Sequence, residues 1–246
     1  MERRYIFFPT SEIEMTPADV GLEYEDVSFP TANGNLLHGW FVPGSGNGTW
    51  LWFHGNGGNV SHRVTEMALL HQRLGVNLLI FDYQGYGRSQ GTPSEAETYQ
   101  DARAALAYLR QYHGSKPGPV VYYSHSLGTA IAVELAMEHP PSGLVLVSPF
   151  TSVSDMASRA FPWLPVSRFL RNHYNTLDRI PNVSSPLLVL HGAEDELVPL
   201  SHGERIFQAA EEPKSFQALP QTGHNDTFQA GGEAYWNAIE VFLEGL

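Results

Sequence analysis

Residues 120–130 constrain the fold of this chain more than any other segment. The apolar run of residues 120–123 predicts a buried strand, and residues 124–128 predict a sharp turn into a helix of small residues. Strand and helix pass close together in such a turn, so only small side chains fit two positions before and after the central Ser126. Ser124 and Gly128 meet that requirement. A strand that turns directly into a helix is typical of a doubly wound α/β sheet.

Ser126 stands at the tip of this predicted turn, where a side chain projects above the edge of the sheet. The backbone N–H of Leu127 would face the place where a substrate oxygen acquires negative charge. The segment therefore predicts Ser126 as a nucleophile and the Leu127 N–H as one donor of an oxyanion hole. Ser124 is an alternative nucleophile, but Tyr122, two positions before it, is too large for the turn.

A serine nucleophile needs a base and an acid, which follow it in the order serine, acid, histidine when each lies after its own strand. The apolar run of residues 186–190 predicts a strand that ends in a loop with Asp195, and Glu194 is an alternative carboxylate. Only His202 and His224 follow Asp195 in the chain. His202 begins a predicted helix, whereas His224 follows a weaker predicted strand, so His224 is the predicted base.

These three residue types act together. A serine hydroxyl is a poor nucleophile at neutral pH, and the His224 imidazole would take its proton during attack and return it to the leaving group. Asp195 would hold that ring in the right tautomer and stabilise its cationic form. His54 and His125 adjoin the predicted site, but neither fits the role of the base.

A glycine-rich segment follows another predicted buried strand, Thr49–Phe53. It reads His54-Gly55-Asn56-Gly57-Gly58-Asn59. Glycines let backbone N–H groups approach a ligand, so the Asn56 N–H is predicted as the second oxyanion donor. A plain turn before a predicted helix of residues 60–74 is the alternative. The segment lacks the patterns of nucleotide-binding loops.

These motifs resemble those of an α/β-hydrolase. Two further segments share in the resemblance, Asp82-Tyr83-Gln84-Gly85-Tyr86-Gly87-Arg88-Ser89 and Gly223-His224-Asn225-Asp226. More narrowly, the chain is similar to compact serine hydrolases related to the eukaryotic acyl-protein depalmitoylases, and to bacterial relatives described as serine-aminopeptidase-like or as esterases. The resemblance runs from about Tyr5 to the C-terminus. Such relatives often carry Arg or Gly where this chain has Ser124 and His125, often begin with a membrane anchor, and differ widely in substrate.

Strands and helices alternate along the remaining segments, as a doubly wound, mostly parallel sheet with an N-terminal antiparallel hairpin requires, and the resemblance implies the α/β-hydrolase fold. The hairpin is Glu25–Pro30 and Leu36–Val42 around the turn Asn33-Gly34. Residues 78–81 and 143–148 predict further strands, and helices are predicted at residues 95–112, 129–138 and 232–244. The segment of Asp82 is predicted to be structural, with two glycines setting its turn and the carboxylate hydrogen-bonded to nearby backbone.

One stretch, at about residues 150–185, interrupts the alternation of strands and helices. The resemblance implies a small cap inserted there over the site, within a single domain of residues 1–246. Phe161, Trp163 and Leu164 are predicted to line a substrate pocket, and attachment of the cap to the core is the equally weighted alternative.

Composition limits the partners. With 246 residues, 42% apolar and 16% charged, the chain can bury one sizeable core. The net charge of −12 disfavours nucleic acid and anionic membranes, and the absence of cysteine excludes disulfides and a thiolate nucleophile. No motif implies a metal or a cofactor. The apolar run of residues 5–8 is too short for a signal peptide or a membrane span, so we expect a cytoplasmic protein or one whose N-terminal segment was removed.

The sequence therefore predicts a serine esterase that cleaves small carboxylic esters with a short or medium acyl chain, through an acyl-enzyme and without a cofactor. Thioester cleavage, including depalmitoylation of proteins, and peptide cleavage are the alternatives. A binding protein on a hydrolase scaffold is a further alternative from another class. The oligomeric state stays open.

Overall fold

The structure is a computed structural model that describes residues 2–46, 48–112, 118–161, 163 and 170–246. The chain divides into two compact units, one of residues 3–123 and one of Glu2 with residues 124–246. No helix in the described part of the chain is long and apolar enough to cross a lipid bilayer. The predicted single domain with a cap insertion stays a prediction.

In its described residues, the first unit contains short and long strands with three α-helices. They are α1 (Arg3–Ile6), β1 (Phe8–Pro9), β2 (Glu25–Pro30), β3 (Leu36–Val42), β4 (Thr49–Phe53), β5 (Gly57–Gly58), α2 (Val64–Leu74), β6 (Asn77–Phe81) and α3 (Glu95–Tyr112). Strands β2 and β3 are antiparallel, β3 is antiparallel to β6, and β4 runs parallel to β6. The predicted N-terminal hairpin is confirmed with its expected bounds.

The turn of this hairpin follows from its sequence. Gly34 has a φ of 84°, a left-handed conformation that glycine adopts without steric cost. Its N–H donates to the Thr31 carbonyl at 3.0 Å, and the Thr31 N–H donates to the Asn35 carbonyl at 2.9 Å. A five-residue connection is closed in this way, and it brings the apolar sides of β2 and β3 into register.

Two features of the first unit differ from the sequence-based expectation. The predicted helix of residues 60–74 begins as a 3₁₀ turn, Val60–Arg63, which is capped by the Asn59 side chain and continues as α2. The glycine-rich loop is not a plain turn, because β5 pairs in parallel with β1. Strands of two residues have no periodicity that a sequence could reveal.

The second unit alternates helices with parallel strands. Strand β7 (Val120–His125) leads into it, followed by α4 (Leu127–Glu138), β8 (Gly143–Val147), α5 (Val153–Ala160), α6 (Thr176–Arg179), β9 (Leu187–Gly192), α7 (Leu200–Ala209), β10 (Lys214–Leu219), α8 (Thr227–Ala230) and α9 (Gly232–Glu244). Strand β9 lies between β8 and β10 and is parallel to both. Helix α4 is apolar on nearly all sides and largely buried.

Register within this sheet determines where the loops emerge. Leu219, the last residue of β10, pairs with Gly192, the last residue of β9. The loops that follow these two strands therefore leave the same edge side by side. Asp195 lies three residues beyond the end of β9, and His224 lies five residues beyond the end of β10.

Candidate active site

Ser126 occupies the turn between β7 and α4 in a conformation that is rare for a residue with a side chain. Its φ is 51° and its ψ is −117°. The turn is held by the Ser126 N–H, which donates to the Val147 carbonyl at 3.0 Å, and by the Ser126 carbonyl, which accepts from the Thr129 N–H and hydroxyl at 2.9 and 2.6 Å. Such strain, of order 1–3 kcal/mol, persists only where surrounding contacts fix the backbone, and it occurs often at active sites.

His224 joins Ser126 to Asp195. Its Nε2 lies 2.9 Å from the Ser126 Oγ, and its Nδ1 lies 2.7 Å from the Asp195 Oδ2. A carboxylate can only accept, so Nδ1 carries the proton and Nε2 is left to accept the serine proton. The second unit thus contains all three predicted residues in one hydrogen-bonded line, an arrangement suited to activating a serine hydroxyl.

The Asp195 carboxylate is held in place on both oxygens. Its Oδ1 accepts the N–H groups of Leu197 at 3.0 Å and Val198 at 2.7 Å. Burial by itself would raise the pKa of Asp195, but hydrogen bonds from His191 and His224 and the Val198 N–H outweigh it, and the pKa lies well below its usual range. Asp195 therefore stays ionised and can stabilise a cationic His224.

His191 is the residue that sequence reasoning missed. It is fully buried within β9, and its Nε2 donates to the Val198 carbonyl at 2.8 Å and lies 3.5 Å from the Asp195 Oδ2. The first contact closes the loop that carries Asp195, and the second places a polar N–H beside the carboxylate. The only signal in the sequence is a histidine four residues before Asp195, at the end of an apolar run.

The alternative residues lie outside the hydrogen-bonded line of Ser126, His224 and Asp195. The Ser124 hydroxyl is buried and donates to the Val145 carbonyl at 2.9 Å. The Glu194 side chain is exposed. The His202 Nδ1 contacts the N–H and hydroxyl of Thr151 at 3.2 and 2.9 Å, and burial lowers the pKa of His202. None of the three alternatives takes part in the line through His224.

Leu127, the predicted oxyanion donor, is the first residue of α4. The first N–H groups of a helix have no acceptor within the helix, and the helix dipole gives this end partial positive charge. The position therefore suits stabilisation of negative charge next to Ser126.

The glycine-rich loop of the first unit is held through its carbonyl groups. The Tyr83 hydroxyl donates to the His54 carbonyl and the Tyr86 hydroxyl to the Asn56 carbonyl, each at 2.9 Å. Arg63 donates to the Gly57 carbonyl at 2.7 Å. The Asn56 carbonyl also accepts the Phe8 N–H at 3.0 Å, and the Gly58 carbonyl accepts the Thr10 N–H at 3.2 Å.

His54 completes this set, because its Nδ1 donates to the Gly55 carbonyl at 2.7 Å. Burial and the nearby positive charge of Arg63 lower the pKa of His54 to about 3, so the ring is neutral. Since a peptide unit is planar, fixing the Gly55 carbonyl also fixes the direction of the Asn56 N–H. The role of that N–H as an oxyanion donor stays a prediction.

The segment after β6 has the structural role predicted for it. The Asp82 Oδ1 accepts the Val60 N–H at 3.0 Å. Gly85 and Gly87 have φ values of 82° and 50°, and a Cβ on Gly87 would lie 2.0 Å from an Asp82 oxygen. Only glycine fits there, which confirms the expected turn.

The predicted pocket residues lie after α5. Phe161 directly follows the last residue of that helix and is 46% exposed, and Trp163 is 82% exposed. Leu164 lies outside the described residues. A role in binding substrate therefore stays a prediction for all three.

Comparison with known proteins identifies the class first. The chain is similar to the esterase Pf2001 of Pyrococcus furiosus, with a TM-score of 0.80, 21% identity and 97% of each chain covered. It is 34% identical over 251 residues to the alpha/beta hydrolase domain-containing protein WAV2 of Arabidopsis thaliana, covering 94% of this chain and 82% of that protein. The predicted α/β-hydrolase fold is confirmed, and the chain is a hydrolase of the α/β-hydrolase superfamily.

The family within that class follows from a second match. Residues 46–178 fit the family model described as serine aminopeptidase, S33, and the chain belongs to this family. An uncharacterised protein of Mycobacterium tuberculosis is 40% identical over 245 residues, which is 98% of this chain and 87% of that protein. The resemblance stated from the sequence motifs is thereby confirmed.

Proposed function

We propose that this hydrolase is a serine esterase that cleaves carboxylic esters with short or medium acyl chains. The observation that carries the proposal is the hydrogen-bonded line from the strained Ser126 through His224 to the ionised Asp195. The Pyrococcus furiosus protein of the same fold is described as an esterase, which supports the same reaction class.

The first half of the reaction forms an acyl-enzyme. The His224 Nε2 takes the Ser126 proton as Oγ forms a bond to the ester carbonyl carbon, and the carbonyl oxygen becomes an anion. The Leu127 N–H donates to that anion, and the Asn56 N–H is the second donor predicted from the sequence. When the anion collapses, the bond to the leaving oxygen breaks, and His224 gives its proton to the departing alcohol.

The second half repeats these steps with water. His224 takes a proton from water as the water oxygen attacks the acyl carbon, and the bond from that carbon to the Ser126 Oγ then breaks. The proton on His224 returns to Ser126, and the carboxylic acid leaves. An alcohol or phenol leaves more readily than an amine, which is the chemical reason to prefer esters to amides.

Purified wild type is tested on p-nitrophenyl esters from acetate to palmitate, beside Ser126→Ala. We expect Ser126→Ala to lose about three or more powers of ten in rate. A fluorophosphonate should label Ser126, as identified by peptide mapping. Ser124→Ala is the matched control because it removes a neighbouring hydroxyl whose partner is the Val145 carbonyl, and it should keep both labelling and turnover.

Further substrates separate the alternatives. An acyl thioester tests thioesterase activity, and aminoacyl p-nitroanilides test the peptide cleavage that the family description names. Faster turnover of either than of every ester would overturn the ester assignment but leave the serine mechanism. Folded wild type that neither turns over nor takes the label would instead favour a binding protein on a hydrolase scaffold.

A further inference from the structure

His125 lies beside the candidate site and has no role in the steps described above. It is the last residue of β7 and immediately precedes Ser126. Its Nε2 lies 2.9 Å from the His224 carbonyl oxygen, and because a carbonyl only accepts, Nε2 donates. The two rings also contact each other, with centroids 5.0 Å apart and planes at 44°.

The loop of His224 lies between β10 and α8, outside regular secondary structure, so individual contacts hold its main chain. Asp195 binds Nδ1 and the Ser126 Oγ contacts Nε2, but the serine contact is lost once Oγ bonds to the acyl carbon, and the ring can then pivot about the Asp195 hydrogen bond. Anchoring the carbonyl of the same residue supplies a second fixed point. Displacement of a catalytic group by about 1 Å can lower a rate by as much as 100-fold.

Other contacts hold this loop at neighbouring residues. The Gly223 N–H donates to the Asp226 Oδ1 at 2.8 Å, and the Glu194 N–H donates to the Thr222 carbonyl at 3.0 Å. Both act on residues other than His224. The bond from His125 acts on the peptide of the base itself and comes from the strand that presents the nucleophile.

We infer that His125 is a positioning residue, which fixes the main chain of His224 so that its Nε2 stays within reach of the Ser126 Oγ. The inference rests on the proposed serine mechanism. His125 touches no reacting atom in this scheme and acts through His224, so its removal should lower kcat and leave KM nearly unchanged.

The test compares His125→Leu, which removes the donor, with His125→Gln. The amide nitrogen of Gln is separated from Cβ by as many bonds as the His Nε2, so this variant can restore the hydrogen bond. His125→Asn is polar but too short to reach the carbonyl. His71→Leu is the matched control, because the His71 Nε2 also donates to a carbonyl at 2.9 Å, that of Pro43 in the first unit.

We expect kcat to fall about 3- to 10-fold in His125→Leu and His125→Asn, with KM within about twofold of wild type. His125→Gln should recover kcat to within about twofold of wild type, and His71→Leu should not change it. Thermal midpoints of all variants are measured alongside. Partial unfolding would lower the fraction of active molecules, whereas loss of a positioning contact would lower the rate of each molecule that takes the label.

Equal kcat values for wild type and His125→Leu would overturn the inference, and so would a His125→Gln variant as slow as His125→Leu. Either result leaves the proposed function intact provided that Ser126→Ala is inactive and wild type is labelled. An unlabelled, inactive wild type would remove the proposed function first, and the inference with it.

Discussion

Replacing Asp195 with Asn should nearly abolish activity without disturbing the fold. The reason lies in the two N–H groups that the Asp195 Oδ1 accepts, those of Leu197 and Val198. In Asp195→Asn they will hold the amide oxygen, so the NH₂ group will take the place of Oδ2 and face His224. Because an NH₂ group cannot accept the Nδ1 proton, the ring will adopt the tautomer with its proton on Nε2, toward Ser126. That tautomer cannot take the serine proton.

The size of the expected fall in kcat follows from two contributions. Turning the amide over would restore the right tautomer but would leave the buried Val198 N–H facing a donor, which costs about 1–3 kcal/mol, or one to two powers of ten in the active population. The turned amide would still lack the negative charge that stabilises the cationic His224, and a hydrogen bond to a charged group contributes about 1.5–3 kcal/mol. Together they predict a fall in kcat of about 10²- to 10⁴-fold.

The assay is kcat on the best p-nitrophenyl ester at pH 8, with thermal midpoints to establish folding. Glu194→Gln changes the adjacent, exposed carboxylate in the same way and should stay within about twofold of wild type. An Asp195→Asn rate within tenfold of wild type would refute the reasoning, and so would an equal loss in Glu194→Gln.

Three further results are expected. Ser126→Gly should be more stable than Ser126→Ala by about 1 kcal/mol in urea unfolding, because glycine relieves the strain of a positive φ; equal stabilities would contradict this. Gly192→Ala should lower both activity and the thermal midpoint, since its Cβ would lie 2.5 Å from the Gly223 carbonyl oxygen and displace the base, and unchanged kcat would count against it. Burial raises the pKa of Asp101 to about 7 despite hydrogen bonds from Gln84, so the folded chain binds this proton more tightly than the unfolded chain, and its contribution makes the free energy of unfolding fall as the pH rises from about 4 to 7. Across this range the free energy of unfolding in urea should fall less, or rise more, with pH in Asp101→Asn than in wild type, and an identical dependence would refute the assignment.

Long elements could be predicted from the sequence because their signals are local. The hairpin and the helix Glu95–Tyr112 have the bounds that alternation, helical spacing and the Asn33-Gly34 turn indicated. The pairing of Phe8–Pro9 with Gly57–Gly58 could not be predicted, since it joins short segments far apart in the chain and depends on contacts that form only in the folded unit.

The candidate site shows the same division. Ser126, Asp195 and His224 could be proposed because each follows a predicted strand in a recognisable order. The contacts of His191 and His125 could not be anticipated, because their partners are backbone carbonyls whose positions are set by tertiary structure. The sequence gives the residue type next to a motif, but it does not give the direction of the histidine ring.

The loop of residues 54–58 has one more consequence. Three glycines in five residues would give an isolated peptide wide conformational freedom, yet every carbonyl from His54 to Gly58 accepts a hydrogen bond here. The conformational entropy of this segment is therefore lost when the chain folds. It is not lost again each time a substrate molecule binds. In the proposed mechanism, the Asn56 N–H therefore needs no ordering when substrate binds, and binding energy is not spent on that step.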